Sequence, residues 1–235
     1  MFDVEDKHFW YKGMRLISQS ILSRYLKNKD NYILDAGCGT GGNFSFLNQF
    51  GTVVGIDVSP IAVKLAKKKG ITNIKKASVG QIPYSDNSFD LITCFDVLGH
   101  KQVNEEKALV EFHRVLKPGG LIMIRVAAYK WLYSYHDIEV QNSRRYTKSK
   151  LIKLLKRKNF LPIKKTYANT ILFPIIGIKR LFLKLFNIKS LDSDVQPVNK
   201  ILNYLLFIAF IIENFIIKFI NLSFGTSIII LARKK

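Results

Sequence analysis

The stretch LDAGCGTGG, residues 34–42, decides the fold. It follows an apolar run and places four glycines in the six positions from 37 to 42. Gly37, Gly39 and Gly42 match the spacing G-x-G-x-x-G between a predicted strand and a predicted helix. Glycine at such positions lets a ligand come close to the backbone at a helix N-terminus. Taken alone, this spacing suits the pyrophosphate of a dinucleotide.

The segments around this loop alternate between strand and helix patterns. A Ser cap, a first-turn Pro and a closing Gly bound the helix at 59–70, and an Asn cap begins the helix at 104–120. The pattern predicts a parallel sheet with helices on both faces. The predicted strands are 32–37, 53–58, 71–79, 89–95, 121–128, 162–169 and 227–234, and the other predicted helices are 41–50 and 148–160.

Two carboxylates indicate which ligand the loop binds. Asp57 ends the next strand, 20 residues after Gly37, where it can accept both hydroxyls of a ribose. On that basis a nicotinamide-dependent dehydrogenase fits equally well. Asp35 stands two residues before the first glycine, where it repels a pyrophosphate and attracts an ammonium group. A ligand with a ribose at one end and an amino acid at the other is S-adenosylmethionine.

Three blocks of sequence resemble the class I S-adenosylmethionine-dependent methyltransferases of the type 11 kind. They are residues 34–42, residues 81–100 (QIPYSDNSFDLITCFDVLGH) and residues 112–124 (FHRVLKPGGLIMI). The resemblance implies an α/β fold, with a Rossmann-like, doubly wound, mostly parallel sheet of seven strands whose last strand is antiparallel. An apolar helical insertion then lies between the last two strands.

The resemblance also implies residue roles. Asp35 would orient the methionine amino group, directly or through water, and Asp57 would bind the ribose. The remaining cofactor-binding residues are Gly37, Cys38 and Gly39 at the methionine end, and Val58, Ser78, Val79 and Phe95 around the adenine. The family usually has Asp in place of Ser78 and often Glu in place of Gly99. These departures keep a non-catalytic scaffold among the alternatives.

The acceptor is expected at the carboxyl ends of the strands, where ligands bind in such folds. Transfer from a sulfonium needs alignment, and a base only if the nucleophile carries a proton. The candidate catalytic residues are Asp96 and His100 after the fourth strand and His136 after the fifth. The candidate acceptor-binding residues are Tyr135, Asp137, Arg144, Arg145 and Tyr146 in the aromatic loop 129–146, with His8, Trp10 and Arg15 in an N-terminal lid. Purely structural roles, in caps, packing and solvated arginines, are the alternative for these residues.

The insertion, residues 170–224, is rich in Ile, Leu and Phe. Its first segment carries a basic stripe with Arg180, Lys184 and Asn187, beside Lys179, which is typical of an interfacial helix. Its second segment is uninterrupted only from 204 to 212, and a span needs about 20 apolar residues. The sequence therefore favours a helix that lies in the membrane plane or in a dimer, and a soluble cap remains the other interpretation.

Composition sets the class of partner. The net charge is +20, with 37 basic against 17 acidic residues, which favours an anionic partner. Nucleic acid is disfavoured because the residues after the fourth strand read DVLG rather than N-P-P-Y. The two cysteines lack metal or disulfide spacing, and the N-terminus lacks a signal-peptide pattern. No metal site and a cytoplasmic, peripheral location on the inner face of the membrane are predicted.

The sequence is divided into an N-terminal helical lid (1–30), a methyltransferase domain (31–169 and 225–235) and the apolar insertion (170–224). The predicted activity is methyl transfer to an amphipathic or lipid-linked acceptor at a membrane surface. A polyprenyl-linked sugar, a quinone precursor and a polar lipid are the acceptors considered. The alternatives are a soluble small molecule or glycan, RNA, and a scaffold without activity.

Overall fold

The structure is a computed structural model that describes residues 5–186 and 198–235. Its strands are β1 (Asn31–Ala36), β2 (Gly51–Asp57), β3 (Ile74–Lys76), β4 (Phe89–Phe95), β5 (Leu116–Ala127), β6 (Phe160–Ala168) and β7 (Ser227–Lys234). Its α-helices are α1 (Phe9–Tyr25), α2 (Phe44–Leu47), α3 (Pro60–Lys68), α4 (Glu105–Val115), α5 (Tyr135–Glu139), α6 (Lys148–Arg157), α7 (Phe173–Leu185) and α8 (Lys200–Phe219).

The seven strands form one sheet in the order β3-β2-β1-β4-β5-β7-β6. The first five pair in parallel, and β7 runs antiparallel between β5 and β6. The order reverses between β1 and β4, so their carboxyl ends open a crevice of the kind that binds ligands in doubly wound sheets. The predicted fold class is confirmed.

Two apolar clusters cover the two faces of the sheet. One joins the sheet to α4 and α6 through residues such as Leu109, Phe112 and Leu154. The other joins it to α1, α2 and α3 and extends to Phe210 and Ile217 of α8. Consecutive residues of β1, Ile33 and Leu34, belong to opposite clusters, as the two-residue period of a strand requires.

Two helices and one strand differ most from the sequence prediction, and the strand predicted over 71–79 is reduced to β3. The helix predicted over 41–50 is reduced to the four residues of α2, because Gly41 has a φ of +81° and the loop before it turns back on itself. The helix predicted over 104–120 ends at Val115. Leu116 already pairs with Phe89 in the sheet, and Pro118 cannot supply a helical N–H. Asn187 and most of the predicted polar turn at 190–199 lie outside the described residues.

The insertion contributes α7 and α8, which lie between β6 and β7 in the chain. α8 packs along α1, and Gly13 makes this possible because a Cβ there would overlap the ring of Phe210. α7 contacts the loop after β5, where the ring of Phe173 packs against Tyr129 and Trp131. α7 therefore begins close to the carboxyl end of β6, at the edge of the sheet where the crevice opens.

Candidate cofactor and acceptor site

The glycine loop between β1 and α2 forms a cradle. Gly37 and Gly39 have φ values of +80° and +56°, a region that favours glycine. A side chain on Gly37 would overlap Val97, whereas no atom lies within 4 Å of the position a Cβ would take on Gly39. The loop thus packs tightly on the residues after β4 and leaves open space above Gly39 for a ligand.

Asp57 closes one side of this cradle. Its Oδ2 accepts a hydrogen bond from the backbone N–H of Gly39 at 2.9 Å, and its Oδ1 accepts one from the N–H of Ser59 at 2.8 Å. Each carboxylate oxygen keeps further lone-pair capacity for a hydroxyl donor. The geometry fits a ribose held at the end of β2.

Asp35 lies beneath the loop and is only 1% exposed. Thr93 donates a hydrogen bond to its Oδ1 at 2.7 Å, and Asn43 donates one to its Oδ2 at 3.3 Å. Both oxygens face the protein interior, so the carboxylate acts on a ligand ammonium as a nearby negative charge or through a neighbouring group.

The cradle lies within a region that matches a known family. A family model for a methyltransferase domain matches residues 34–124. The chain contains a class I S-adenosylmethionine-dependent methyltransferase domain. Its cofactor is S-adenosyl-L-methionine, and the cradle fits it, because Asp57 matches the ribose and the negative charge of Asp35 matches the ammonium.

Three further comparisons extend this result. An uncharacterized protein of Methanocaldococcus jannaschii is 37% identical over 123 residues, which make up 52% of this chain and 47% of that protein. The malonyl-[acyl-carrier protein] O-methyltransferase of Buchnera aphidicola is 28% identical over 188 residues, 79% of this chain and 75% of that enzyme. The solved geranyl diphosphate C-methyltransferase of Streptomyces coelicolor A3(2) is 15% identical with a TM-score of 0.62, and the match covers 93% of this chain and 77% of that one.

This last likeness shows the fold alone. The chain spans about half the length of the first curated relatives that it matches.

The adenine residues of the methyltransferase domain are only partly brought together. Val58 is exposed beside Asp57, and the hydroxyl of Ser78 accepts a hydrogen bond from the N–H of Gly80 at 3.1 Å. Val79 belongs to the α4 side of the core and Phe95 to the α1 side. Phe95 lies under the guanidinium of Arg125, and a shared adenine pocket of Phe95 and Val79 stays a prediction.

Several predicted acceptor residues have structural partners instead. Asp137 is buried and forms a capping box with Ser134, and two nitrogens of Arg145 each donate to it at 2.9 Å. Arg144 donates to the backbone carbonyls after β4, including that of His100 at 2.7 Å. The hydroxyl of buried Tyr146 contacts Glu105 and the carbonyl of Leu98.

These bonds give the four side chains a structural role, and a role in gripping an anionic acceptor stays a prediction. Asp137, Arg144, Arg145 and Tyr146 build the loop after β5, because each is buried or engaged by groups of the chain itself. Tyr135 is the member of this predicted set that stays exposed. His136 lies on α5, with its Nδ1 3.9 Å from Glu139.

The N-terminal residues divide in the same way. His8 is buried, and its Nδ1 accepts from the N–H of Trp10, so it caps α1. Trp10 faces the guanidinium of Arg125 at 5.2 Å. Arg15 donates to the carbonyl of Gly42 at 3.4 Å, which places it on the cofactor loop.

An ion pair that sequence reasoning missed lies at the ends of β4 and β5, between a buried Arg125 and an exposed Asp96. Arg125 donates through Nε and Nη2 to the same oxygen of Asp96, Oδ2, at 2.8 and 2.7 Å. Asp96 has a φ of +61°, unusual for a residue with a side chain, and such strain is common at functional sites. The sequence does carry a sign of this ion pair, because the charged Arg125 interrupts the apolar strand sequence LIMIRVAA.

His100, which follows β4 in the chain, is half-buried. Its Nδ1 accepts from the N–H of Gln102 at 3.3 Å. Burial and neighbouring positive charges hold its pKa below the ordinary value, so the ring is neutral at neutral pH.

Tyr11 of α1 has a raised pKa. Burial and the carboxylates of Glu5 and Asp96 raise the pKa of Tyr11 to about 12.

Asp35 gives cofactor affinity a pH dependence. Burial raises the pKa of its carboxyl to about 6, although the bonds from Thr93 and Asn43 oppose the rise. Below that value the neutral carboxyl no longer attracts an ammonium. We expect affinity for S-adenosylhomocysteine to fall about tenfold from about pH 7.5 to about pH 5. Titration calorimetry across this range measures it, and Asp35→Asn should bind weakly with a flat profile.

The same pKa has the opposite effect on folding stability. The folded state binds the Asp35 proton more tightly than the unfolded chain between the ordinary pKa and about 6, so this group lowers stability as pH rises through that window. Loss of affinity at low pH therefore cannot be assigned to unfolding caused by Asp35. A flat wild-type binding profile would contradict the role of its charge.

Proposed function

We propose that the chain transfers a methyl group from S-adenosylmethionine to an amphipathic, lipid-linked acceptor at the anionic inner face of a membrane. The observation that carries this proposal is the set of exposed apolar side chains on α7 and α8. Large exposed apolar surfaces on a folded protein mark sites of interaction with a partner or a membrane. These side chains are Ile175, Ile178, Leu181, Phe182 and Leu185 on α7 and Ile201, Tyr204, Leu205, Ile211, Ile212, Phe215 and Phe219 on α8.

α8 is long and apolar enough to cross a membrane, by length and composition. An in-plane orientation is supported by its opposite face, which is attached to the domain. The carboxylate of Glu213 accepts hydrogen bonds from the backbone N–H groups of Asn169, Thr170 and Ile171 at 2.5, 2.6 and 3.2 Å. Crossing the bilayer would break these bonds and leave their polar groups unpaired in hydrocarbon. Each unpaired group would cost roughly several kcal/mol.

The charged residues of the insertion support a narrower electrostatic role than the sequence suggested. Arg180 is buried, and Lys184 donates to the carbonyl of Trp131 at 2.5 Å. Neither side chain therefore faces a lipid headgroup in this conformation. Lys179, Lys200 and Lys218 are exposed beside the apolar side chains. Each can add about 1 kcal/mol of attraction to an anionic surface. Lys189, a further basic residue of the insertion, lies outside the described residues.

The name of one relative is consistent with the proposed acceptor. It is a malonyl-[acyl-carrier protein] O-methyltransferase, whose named acceptor is a small acyl group on a larger carrier. A polyprenyl-linked sugar, a quinone precursor or a polar lipid likewise joins a polar group to a larger chain.

Asp96 is our first choice for the residue that contacts the acceptor, ahead of His136 and His100. It precedes Val97, which packs on Gly37 of the cofactor loop, whereas His136 lies on α5. Arg125 occupies Oδ2 of Asp96, and Oδ1 can accept a hydrogen bond from an acceptor hydroxyl or amine. The cofactor supplies a methyl group on a sulfonium, and the chain's task is to align the acceptor and exclude water.

The proposal is tested by following a radiolabelled methyl group. The purified full chain is incubated with labelled S-adenosylmethionine and either total membrane lipid or the water-soluble extract of its source. We expect label in the organic phase, and we expect Asp96→Asn to lower its incorporation about a hundredfold. Asp90→Asn, in a carboxylate paired with Lys117 at the other end of β4, is the control. Label confined to the aqueous extract would contradict a lipid acceptor.

A further inference from the structure

Asn203 of α8 holds the segment that precedes α1. Its Oδ1 accepts a hydrogen bond from the N–H of Phe9 at 2.8 Å, and its Nδ2 donates to the carbonyl of Lys7 at 3.0 Å. We call residues 5–8 the N-terminal strap. One side chain of the insertion thus fixes the end of the strap that joins α1.

The other end of the strap lies on the cofactor loop. Thr40 donates a hydrogen bond to Oε2 of Glu5 at 2.5 Å, and the Glu5 carboxylate lies against Gly42 so closely that a Cβ there would overlap it. Arg15 donates both to the carbonyl of Glu5 at 2.9 Å and to that of Gly42 at 3.4 Å. The strap therefore connects α8 with the loop that binds the methionine end of the cofactor.

The first half of α8 is the less firmly attached half. The buried residues of α8 are Phe210, Glu213, Asn214 and Ile217, so all of them lie in its second half. Between 200 and 209, Asn203 bonds to the strap, and Phe207 is partly buried on the α1 side of the core with its ring 4.8 Å from Nζ of Lys12. Segments with few buried contacts open at low free-energy cost.

The side chains beside Asn203 are those that would enter a bilayer. Ile201 is 77% exposed, Tyr204 is 64% exposed and Leu205 is 56% exposed. Burying them in a membrane would hold the first half of α8 in a helix, and with it the two hydrogen bonds of Asn203. Membrane docking and cofactor binding would thus act on the same element, which is the first half of α8 together with the strap.

We propose that Asn203 is a positioning residue that couples membrane docking to cofactor binding. Docking of α8 on an anionic bilayer fixes the strap over the glycine loop, so the cofactor binds without the cost of ordering it. This inference rests on the proposed membrane function. Coupling of this kind is reciprocal, because each ligand raises the affinity for the other by the same factor.

The test uses S-adenosylhomocysteine and vesicles of phosphatidylcholine with phosphatidylglycerol. Calorimetry on the full chain should give a Kd for S-adenosylhomocysteine about fivefold or more lower with these vesicles than without them. Saturating S-adenosylhomocysteine should lower the lipid concentration for half-maximal binding by the same factor. Vesicles of phosphatidylcholine alone are the lipid control.

Two variants cut the connection at different ends. Asn203→Ala removes both hydrogen bonds and leaves the exposed side chains of α8 in place, and Glu5→Gln weakens the contact with Thr40. Each should still bind vesicles, but its Kd for S-adenosylhomocysteine should no longer respond to them. Asn221→Ala, in an exposed residue just after α8, should keep the wild-type response.

The two proposals fail in distinguishable ways. Vesicle binding with an unchanged Kd for S-adenosylhomocysteine would overturn the coupling and leave the membrane function standing. Absence of vesicle binding would overturn both. A response in Asn203→Ala and Glu5→Gln equal to that of the wild type would show that the strap does not carry the coupling.

Discussion

Replacing Asp57 with alanine is expected to weaken S-adenosylmethionine binding by about 2–4 kcal/mol, which is roughly a 30- to 1000-fold rise in Kd. Two effects add. The substitution removes the charged acceptor for the ribose hydroxyls, and it releases the N–H groups of Gly39 and Ser59 that now bond to the carboxylate. The second effect loosens the cradle itself.

Calorimetry with S-adenosylmethionine and S-adenosylhomocysteine measures this loss, and NAD serves as a ligand for which no binding is expected. Asp57→Asn should fall between wild type and alanine, because its amide oxygen keeps one acceptor while the charge is lost. Asp86→Ala removes an exposed carboxylate that pairs with Arg114 and should leave the Kd unchanged. A Kd for Asp57→Ala close to that of wild type would show that the ribose lies elsewhere.

The sheet and its cofactor end were predictable because their signals are local. Each predicted strand overlaps one of β1 to β7, and the turn at Gly37 and Gly39 requires residues that tolerate positive φ. Asp57 was found because a fixed distance along the chain separates it from the loop. Where the signal was weaker, as in α2, the sequence predicted a longer helix than the structure contains.

The acceptor side was less predictable because its residues depend on long-range partners. A loop with two arginines and an aspartate indicates charge, but the sequence does not show that Arg145 pairs with Asp137. The burial of Arg180 was unpredictable for a similar reason. Periodicity shows which residues share one face of a helix, but tertiary packing decides which face is buried. Asn203 bonds to Phe9 across 194 residues of the chain, and no local pattern in the sequence indicates that contact.

The exposed face of α8 offers the other large expected effect. Phe215 is 62% exposed and Phe219 is 73% exposed, and their rings pack on each other at 5.2 Å. If this face enters the interfacial region of a bilayer, changing both to serine should cost about 1 kcal/mol for each ring. Vesicle affinity should then fall roughly thirtyfold. The melting temperature should stay near that of wild type, because neither ring is buried in the protein.

Co-sedimentation with phosphatidylglycerol-containing vesicles measures the affinity of Phe215→Ser/Phe219→Ser. The matched control is Val110→Ser/Leu161→Ser, which removes two exposed apolar side chains on α4 and at the start of β6, away from the insertion. A homodimer through residues 170–224 is the competing use of the same face. In that case analytical ultracentrifugation would find a wild-type dimer that dissociates in the α8 variant, and neither protein would sediment with vesicles. Membrane docking instead requires the two double variants to differ in lipid binding while their own oligomeric states agree.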